Sequence, residues 1–381
     1  MREQPGAYNW SASRYGGGMT WLNRTRQRLG RWIGGETPPL LPRQSEQEKL
    51  RQVLALLNDK SQPNLNALTE VTRNLDALAL NVKALGYHLA QDLAAALPVR
   101  ENTRARPVRL GSKPSTQRDM EAEWVAHWCS QLKVPVMYHR KLWELAYILQ
   151  VAHTAGHLRE GARGLGFGCG TEPLASYFAG RGAKVTITDL APDDARSQDW
   201  SGTNQHASSL DDAFHPGLVS REVFDALVDF RAVDMNAIPD DLTGYDFCWS
   251  TCALEHLGSI AHGLDFIENS VKTLRPGGTA IHTTEFNINP VGPTIDNWPT
   301  VLFQRQHFEQ LAERLQAAGH AVAPLDFDPG NKVLDKFIDL PPWNDGTMGA
   351  LSARLGQAGH LKVAIDGFVT TCFGITVTKK G

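Results

Sequence analysis

Four alternating glycines are the residues of this chain whose spacing points most directly to chemistry. They lie between Arg163 and Pro173, at Gly164, Gly166, Gly168 and Gly170. Glycine allows the backbone to turn sharply and to approach a ligand without a Cβ in between. The helical pattern that follows, from Leu174 to Arg181, would present free N–H groups and the positive end of its dipole. Together these features predict a ligand-binding loop.

An acidic residue after the next apolar run indicates which kind of ligand the loop binds. Val185–Thr188 has the composition of a buried strand, and Asp189 follows it directly. A carboxylate about 20 residues after the glycines, at the tip of the second strand, is placed to bind both hydroxyls of a ribose. The unit therefore predicts a cofactor that contains a nucleoside.

The composition of the loop also argues against a phosphate ligand. A P-loop would place Gly-Lys-Ser/Thr after the glycines, whereas Gly170 is followed here by Thr171, Glu172 and Pro173. An acid at that place disfavours phosphate and suits a cofactor with a cationic group and an amino acid tail.

The elements that must position this loop alternate along the chain. Two helices joined at Val134–Val136 lead into the glycine-rich strand, and helices are also predicted over 260–274 and 303–318. Further strands are predicted at 231–234, 245–250, 279–284, 321–327 and 367–378. This alternation predicts an α/β fold with a Rossmann-like, mostly parallel sheet and helices on both faces. No full helical crossover separates the last two strands, so we expect the last one to be antiparallel.

The chain ahead of this fold predicts a smaller helical N-terminal region. Residues 1–44 are basic and rich in glycine and proline, which is typical of a flexible leader. Residues 45–97 are predicted to be helical, beginning at the capping box Ser45–Glu48. Residues 98–118 are basic, contain three prolines and are predicted as a linker. The main domain is then expected to span residues 119–381.

A heptad pattern in the helical region predicts a coiled-coil seam. Its apolar positions alternate in steps of three and four: Leu68, Val71, Leu75, Leu78, Val82, Leu85 and Leu89. The seam can pack against the helix that begins at Ser45, within one chain, or against another subunit or partner protein. Gly86 in its interior argues against a long free rod, because glycine costs about 1 kcal/mol in a helix.

The bulk composition is that of an ordinary soluble protein. The chain has 381 residues, 42% hydrophobic and 21% charged, with a formal net charge of −3. The five cysteines are sparse, and the pair Cys248 and Cys252 has no second pair to complete a zinc site, so no metal is expected. The absence of an apolar leader and of a run of about 18 apolar residues predicts a cytoplasmic protein without a transmembrane segment.

The combined pattern resembles the class I, Rossmann-like S-adenosylmethionine-dependent methyltransferases over residues 120–381. The residues that carry the resemblance are Gly166–Thr171, Asp189, Asp234, Tyr245–Asp246, Glu255–Leu257 and Leu274–Gly278. Glu172–Pro173 and Tyr138–Glu144 resemble a bacterial subgroup linked to glycan or surface-polysaccharide biosynthesis. The resemblance implies S-adenosylmethionine as cofactor and a sugar, glycan or other small molecule as methyl acceptor.

The resemblance also implies roles for individual residues. The residues expected to bind the cofactor are Gly166, Gly168, Gly170, Glu172, Asp189, Asp234, Met235, Ser250 and Glu144. Asp189 would bind the ribose, and Asp234 with Met235 would meet the adenine. His256, Glu255 and Glu285 follow strands at the edge where ligands bind, and they are the candidates for taking a proton from a hydroxyl acceptor.

One departure from the family concerns the methionyl end of the cofactor. Relatives commonly carry an acidic residue where this chain has Gly166, and that acid helps to hold the methionyl amino group. Glu172 and Glu144 are the candidates to replace it.

Two other functions remain open at this stage. The basic leader and linker would suit a nucleic-acid methyltransferase, although the acidic overall balance disfavours one. The missing acid at Gly166 would suit a scaffold that binds the cofactor without catalysis, with the heptad segment recruiting partners.

Overall fold

The computed structural model describes Leu57 and residues 65–100, 103–191, 209–341 and 359–381. The predicted leader, the capping box at Ser45–Glu48 and most of the helix expected after it lie outside the described residues. The chain divides into two compact units, residues 1–73 and 74–381, and the second contains the sheet described below. No helix in the described part of the chain is both long enough and apolar enough to span a membrane.

The helices follow the predicted pattern closely. Their bounds are α1 Leu65–Ala95, α2 Gln117–Met120, α3 Glu123–Leu132, α4 Arg140–Thr154, α5 Leu174–Ala179, α6 Arg221–Leu227, α7 Ile260–Lys272, α8 Arg305–Ala317 and α9 Val333–Lys336. Helices α3 and α4 are the two predicted around Val134–Val136, and Lys133 ends α3 in a left-handed conformation (φ 59°). They bring the chain directly into the glycine-rich strand.

The strands form the mixed sheet that the alternation predicts. Their bounds are β1 Lys113–Pro114, β2 Tyr138–His139, β3 Arg163–Phe167, β4 Lys184–Asp189, β5 Val228–Ala232, β6 Tyr245–Thr251, β7 Leu274–Asn287, β8 Ala321–Val322, β9 Ile338–Asp339, β10 Gly359–His360, β11 Lys362–Ile365 and β12 Phe368–Thr378. The strand order is β5-β4-β3-β6-β7-β12-β11-β9, and β1 and β8 also pair with β12. Strands β3 to β7 are parallel, and β12 is antiparallel to β7, as expected.

The core lies on both faces of this sheet. Alternate residues of β6 point to opposite sides: Trp249 packs in the core beneath α3, α4 and α5, whereas Cys248 packs in the core beneath α7 and α8. Every residue of β6 is buried, as a parallel strand covered on both faces requires.

Part of the segment predicted as a linker belongs to the sheet instead. Lys113 and Pro114 pair with β12, and the backbone N–H of Ser112 donates to the carbonyl of Pro324. The buried Ser115 hydroxyl lies 2.6 Å from the Thr371 hydroxyl. The domain therefore begins before residue 119. Its first strand pairs with residues about 260 positions later, a partner that local composition does not reveal.

Candidate active site

A cavity of about 640 Å³ opens at the carboxyl ends of β3, β4 and β6. The strand order reverses between β3 and β6, and ligands of open α/β sheets bind at such a switch point. The wall includes the loop after β3, the end of β4, the loop after β5 and the turn after β6. Lys141 and Leu145 of α4 and the residue Pro299 complete the wall, so the topology brings together residues from six separate segments of the chain.

The glycine loop forms one side of this cavity. Gly168 (φ 57°) and Gly170 (φ 51°) both adopt the left-handed conformation that glycine tolerates without strain. A Cβ added at Gly168 would lie 2.8 Å from the Cβ of Ala253 and 3.4 Å from the Sδ of Met235. The missing side chain therefore keeps this part of the cavity open.

Asp189 stands at the end of β4 and lines the cavity, where the sequence places it. One carboxylate oxygen accepts a hydrogen bond from the N–H of Gly170 at 3.1 Å, and the other accepts from the N–H of Leu190 at 2.8 Å. The carboxylate therefore holds the glycine loop from one side. A carboxylate oxygen can accept more than one hydrogen bond, so this carboxylate suits ribose hydroxyls as ligands.

Asp234 and Met235 also line the cavity, just beyond the end of β5. A carboxylate oxygen of Asp234 accepts from the N–H of Asn236 at 2.9 Å, and the neighbouring Val233 and Met235 are buried. A carboxylate next to apolar side chains matches the predicted contact with an adenine ring.

Gly166 and Ser250 do not line the cavity. A Cβ at Gly166 would meet the indole of Trp249, at 2.5 Å, and the sulfur of Cys169. The Ser250 hydroxyl lies 2.8 Å from Nδ1 of the buried His282. Gly166 thus makes room for the indole of the adjacent strand, and there is no space for the acid that relatives carry at this position.

The structure distinguishes between the two acids considered as its replacement. Glu172 lines the cavity beside Lys141, and one of its carboxylate oxygens is buried without a hydrogen-bond partner among the residues that the structure describes. Glu144 lies outside the lining, where it accepts from the sulfur of Cys372 at 2.8 Å and from the hydroxyl of Thr283. Burial raises the pKa of Glu172 to about 8, although Lys141 opposes the shift. Glu172 is therefore the acid available to a cationic ligand.

This pKa predicts that cofactor binding releases a proton. At pH 7 Glu172 is mostly protonated, and the ammonium group of S-adenosylmethionine would displace close to one proton. Calorimetric titration in two buffers of different ionisation enthalpy measures the release. Glu172→Gln should lose it and bind roughly 10- to 100-fold more weakly, since a charged hydrogen bond contributes about 1.5–3 kcal/mol.

A matched control for this prediction is Glu160→Gln. Glu160 is exposed and lies outside the cavity, so this variant should bind and release protons like the parent protein. Undiminished proton release in Glu172→Gln would contradict the assignment.

His256 lines the cavity from the short helical turn that follows β6. Its Nδ1 lies 3.0 Å from the carbonyl oxygen of Pro299, which can only accept, so Nδ1 carries the proton and Nε2 is the basic nitrogen. Burial lowers the pKa of His256 to about 4, although the hydrogen bond to Pro299 opposes the shift. The imidazole is therefore neutral at pH 7.

Glu255 precedes His256 in the same turn and is buried outside the lining. One carboxylate oxygen is 3.9 Å from Nε2 of His256, and the other accepts from the hydroxyl of Thr284 at 2.9 Å. Burial raises the pKa of Glu255 to about 7, the charge of Glu285 adds to the shift, and Lys141 opposes it. The pair therefore combines a neutral imidazole at the cavity with a buried carboxylate that titrates near neutrality.

Glu285 stands on β7 and forms an ion pair with Arg140 at 2.8 Å, outside the cavity lining. The second oxygen of Glu285 and the Nε of Arg140 are both buried without a hydrogen-bond partner. Glu285 is thus placed as half of a buried ion pair rather than as a group that faces the cavity.

Two buried sets of acids and thiols have donor atoms within 4.8 Å of one another. They are Glu144 with Cys252 and Cys372, and Cys252 with Glu255 and Glu285. Their carboxylates already have cationic neighbours, because Arg140 pairs with Glu285 at 2.8 Å and Lys141 lies 3.6 Å from Glu144. Side chains therefore supply the positive charge that a metal ion would bring.

The predicted set of site residues omitted several groups that the structure places here. Lys141 lines the cavity from the first turn of α4, and Thr251 and Cys252 line it at the end of β6. The sequence signal that could have identified Lys141 is the adjacent basic pair Arg140 and Lys141, at the start of the helix that precedes the glycine-rich strand.

Residues 138–325, just under half of the chain, match the family model of a methyltransferase domain. The match contains every residue that lines the cavity. No curated protein matches the chain.

Three solved structures illustrate the likeness of the fold. One is a phosphoethanolamine N-methyltransferase 2 of Haemonchus contortus, in complex with phosphomonomethylethanolamine and S-adenosylhomocysteine. It is 15% identical, and the alignment covers 63% of this chain and 53% of that chain, with a TM-score of 0.40. An S-adenosylmethionine-dependent methyltransferase of Mesorhizobium loti is 13% identical over 60% of this chain and 96% of its own, with a TM-score of 0.32. The [4+2]-cyclase SpnF is 18% identical, and the alignment covers 71% of this chain and 99% of the SpnF chain, with a TM-score of 0.39. All three TM-scores lie below 0.5, so the assignment of the site rests on the topology, the cavity and the family match.

Proposed function

We propose that this chain, an S-adenosylmethionine-dependent methyltransferase, transfers a methyl group to a hydroxyl oxygen of a sugar, a glycan or another small molecule. The observation that carries the proposal is the pair formed by His256 and Glu255. A hydroxyl must lose its proton as the new bond to carbon forms, and this pair is a proton acceptor at the wall of the cofactor cavity.

The residues of the cavity fit this cofactor. Asp189 suits the ribose, the space left by the missing side chain of Gly168 admits the cofactor, and the unpartnered oxygen of Glu172 suits the ammonium group of the methionyl end. Lys141, next to Glu172, suits the methionyl carboxylate. When bound, S-adenosylmethionine supplies a methyl group on a positively charged sulfur.

The catalytic work of the chain is then positioning and proton removal. The cavity walls orient the two reactants, and holding reacting groups in line accounts for much of the rate of a displacement. Nε2 of His256 takes the hydroxyl proton, and the carboxylate of Glu255 stabilises the resulting imidazolium. Glu255 acts through His256, so it is a positioning residue, whereas His256 is the catalytic base.

The preference for a sugar or glycan comes from the subgroup that Tyr138–Glu144 and Glu172–Pro173 resemble. The five cysteines are free and buried, which supports the proposal of a cytoplasmic location.

The proposal is tested by following a labelled methyl group. The protein is incubated with S-adenosylmethionine labelled in the methyl carbon and with separate sets of sugars and nucleotide sugars, amines, and nucleic acids. We expect label on a sugar as an alkali-stable ether, with one S-adenosylhomocysteine formed per transfer. Label on an amine or a nucleic acid, or saturable cofactor binding with no transfer to any set, would contradict it.

A further inference from the structure

Helix α1 carries a buried stripe and an exposed apolar stripe, which point in nearly opposite directions. One stripe, Leu80, Lys83, Tyr87 and Ala90, is buried. The other consists of Leu75, Leu78, Val82, Leu85 and Leu89, which we call the seam. At about 100° per residue, the centres of the two stripes lie roughly 150° apart around the helix axis. The helix cannot bury both against the same surface.

The buried stripe is held to the domain by specific contacts. The Tyr87 hydroxyl donates to a carboxylate oxygen of Asp339 at 2.7 Å, and the ammonium of Lys83 lies 3.0 Å from the other oxygen. A side chain at Gly86 would overlap the ring of Phe337, so glycine allows the helix to approach closely. These contacts fix the rotation of the helix, and the seam faces away from the domain.

The seam is exposed along its described length. Leu75 is 60% exposed, Leu78 58% and Leu85 72%, with Val82 at 40% and Leu89 at 38%. In the sequence the same spacing continues upstream through Val71 and Leu68. Single exposed leucines are ordinary, but a contiguous row of them usually marks an interaction surface. Steps of three and four are the pattern of a coiled-coil interface.

The length of the seam favours a second copy over the chain's own upstream segment. With its upstream continuation in the sequence, the apolar pattern covers 22 residues from Leu68 to Leu89, about 32 Å in a helix. The apolar face of the helix predicted after Ser45 runs from Leu50 to Leu57, about 10 Å in a helix. That segment would leave most of the seam in water, whereas an identical helix matches it along its whole length.

The flanks of the seam also permit self-association. The heptad positions beside it carry no charged carboxylate, lysine or arginine; they are Thr72, Asn74, Ala79, Asn81, Gly86 and His88. Like charges at these positions would repel an identical helix, and none is present. A small residue at one of them, Ala79, leaves space for a close approach.

We propose that the seam of α1 is a homodimer interface, in which two copies of the chain pack their α1 helices as a coiled coil. Each methyltransferase domain then lies on the outer side of its own helix, on the stripe that contains Tyr87. This proposal does not depend on the identity of the methyl acceptor.

Light scattering on the full-length protein at about 50 µM tests the proposal. We expect twice the 41.9 kDa of the chain. The double variant Leu78→Glu/Leu85→Glu should scatter as a monomer, with a dissociation constant raised at least 100-fold. The milder Leu78→Ala/Leu85→Ala variant should show a smaller rise in the dissociation constant. Affinity for S-adenosylmethionine and the near-UV circular dichroism should stay unchanged in both, which shows that the domain is folded.

The control is Ala77→Glu, which adds one glutamate on an exposed face of α1 outside the seam. It should remain a dimer. A parent protein of 41.9 kDa at this concentration would overturn the proposal, as would a Leu78→Glu/Leu85→Glu variant that keeps the doubled mass.

Discussion

Replacing Asp189 by alanine is expected to weaken the binding of S-adenosylmethionine by roughly 100- to 10,000-fold. Two hydrogen bonds from ribose hydroxyls to a carboxylate are each worth about 1.5–3 kcal/mol, and the substitution removes both. It also removes the acceptor for the N–H of Gly170, so the glycine loop loses one of its attachments. Calorimetric titration with S-adenosylmethionine and S-adenosylhomocysteine, with NAD as the negative control, measures the loss of affinity.

Asp229→Ala is the matched control for this change. Asp229 lies on the adjacent strand β5, is exposed and does not line the cavity, so removing the same charge there should leave the affinity unchanged. If Asp189→Ala binds within about threefold of the parent protein, the cofactor does not bind where we place it.

Replacing His256 by alanine should lower kcat by about 100- to 10,000-fold, the range that a general base contributes. Binding of S-adenosylmethionine should change little, because the imidazole is proposed to face the acceptor. The matched control is His262→Ala, which removes an exposed imidazole that hydrogen-bonds to the carbonyl of Leu257. Equal turnover in the His256 and His262 variants would exclude His256 as the base.

The pH dependence of kcat separates the roles of the two residues in this pair. Glu255 must be ionised to stabilise the imidazolium, so kcat at saturating cofactor should rise with pH up to about 7 and then level off. Histidine ordinarily titrates near 6.5, but the pKa of His256 is about 4, so the rise belongs to the carboxylate. Glu255→Gln should flatten the profile at a lower kcat, and a profile that still rises near pH 7 in this variant would contradict the assignment.

The parts of the site that depend on neighbouring residues were predictable from the sequence. The glycine loop, the strand before Asp189 and the acid after β5 follow one another within about 70 residues, and each is recognised by its local composition. The order of strands and helices then places their ends on one edge of the sheet. The antiparallel direction of β12 followed from the missing crossover helix.

The parts that depend on pairing between distant strands were not predictable in this way. Gly166 has the spacing of a cofactor-binding glycine, but it lies opposite Trp249 on the neighbouring strand, and the indole takes the space. Glu285 has the position of a catalytic acid, but Arg140 from another helix pairs with it. The sequence shows the residue type at each of these positions, but only the pairing of strands and the packing of helices show which residue lies next to it.

The position of β12 has a consequence for how the chain folds during synthesis. This strand pairs with β1, β7, β8 and β11, yet it is made after all of them. Residues 113–114 can pair only with residues that are synthesised about 260 positions later. Such long-range strand pairing slows folding. Until the ribosome has released residues 368–378, β7 presents an unpaired edge that invites association with other nascent chains. We therefore expect the yield of folded protein, more than its final stability, to depend on chaperones that bind the growing chain.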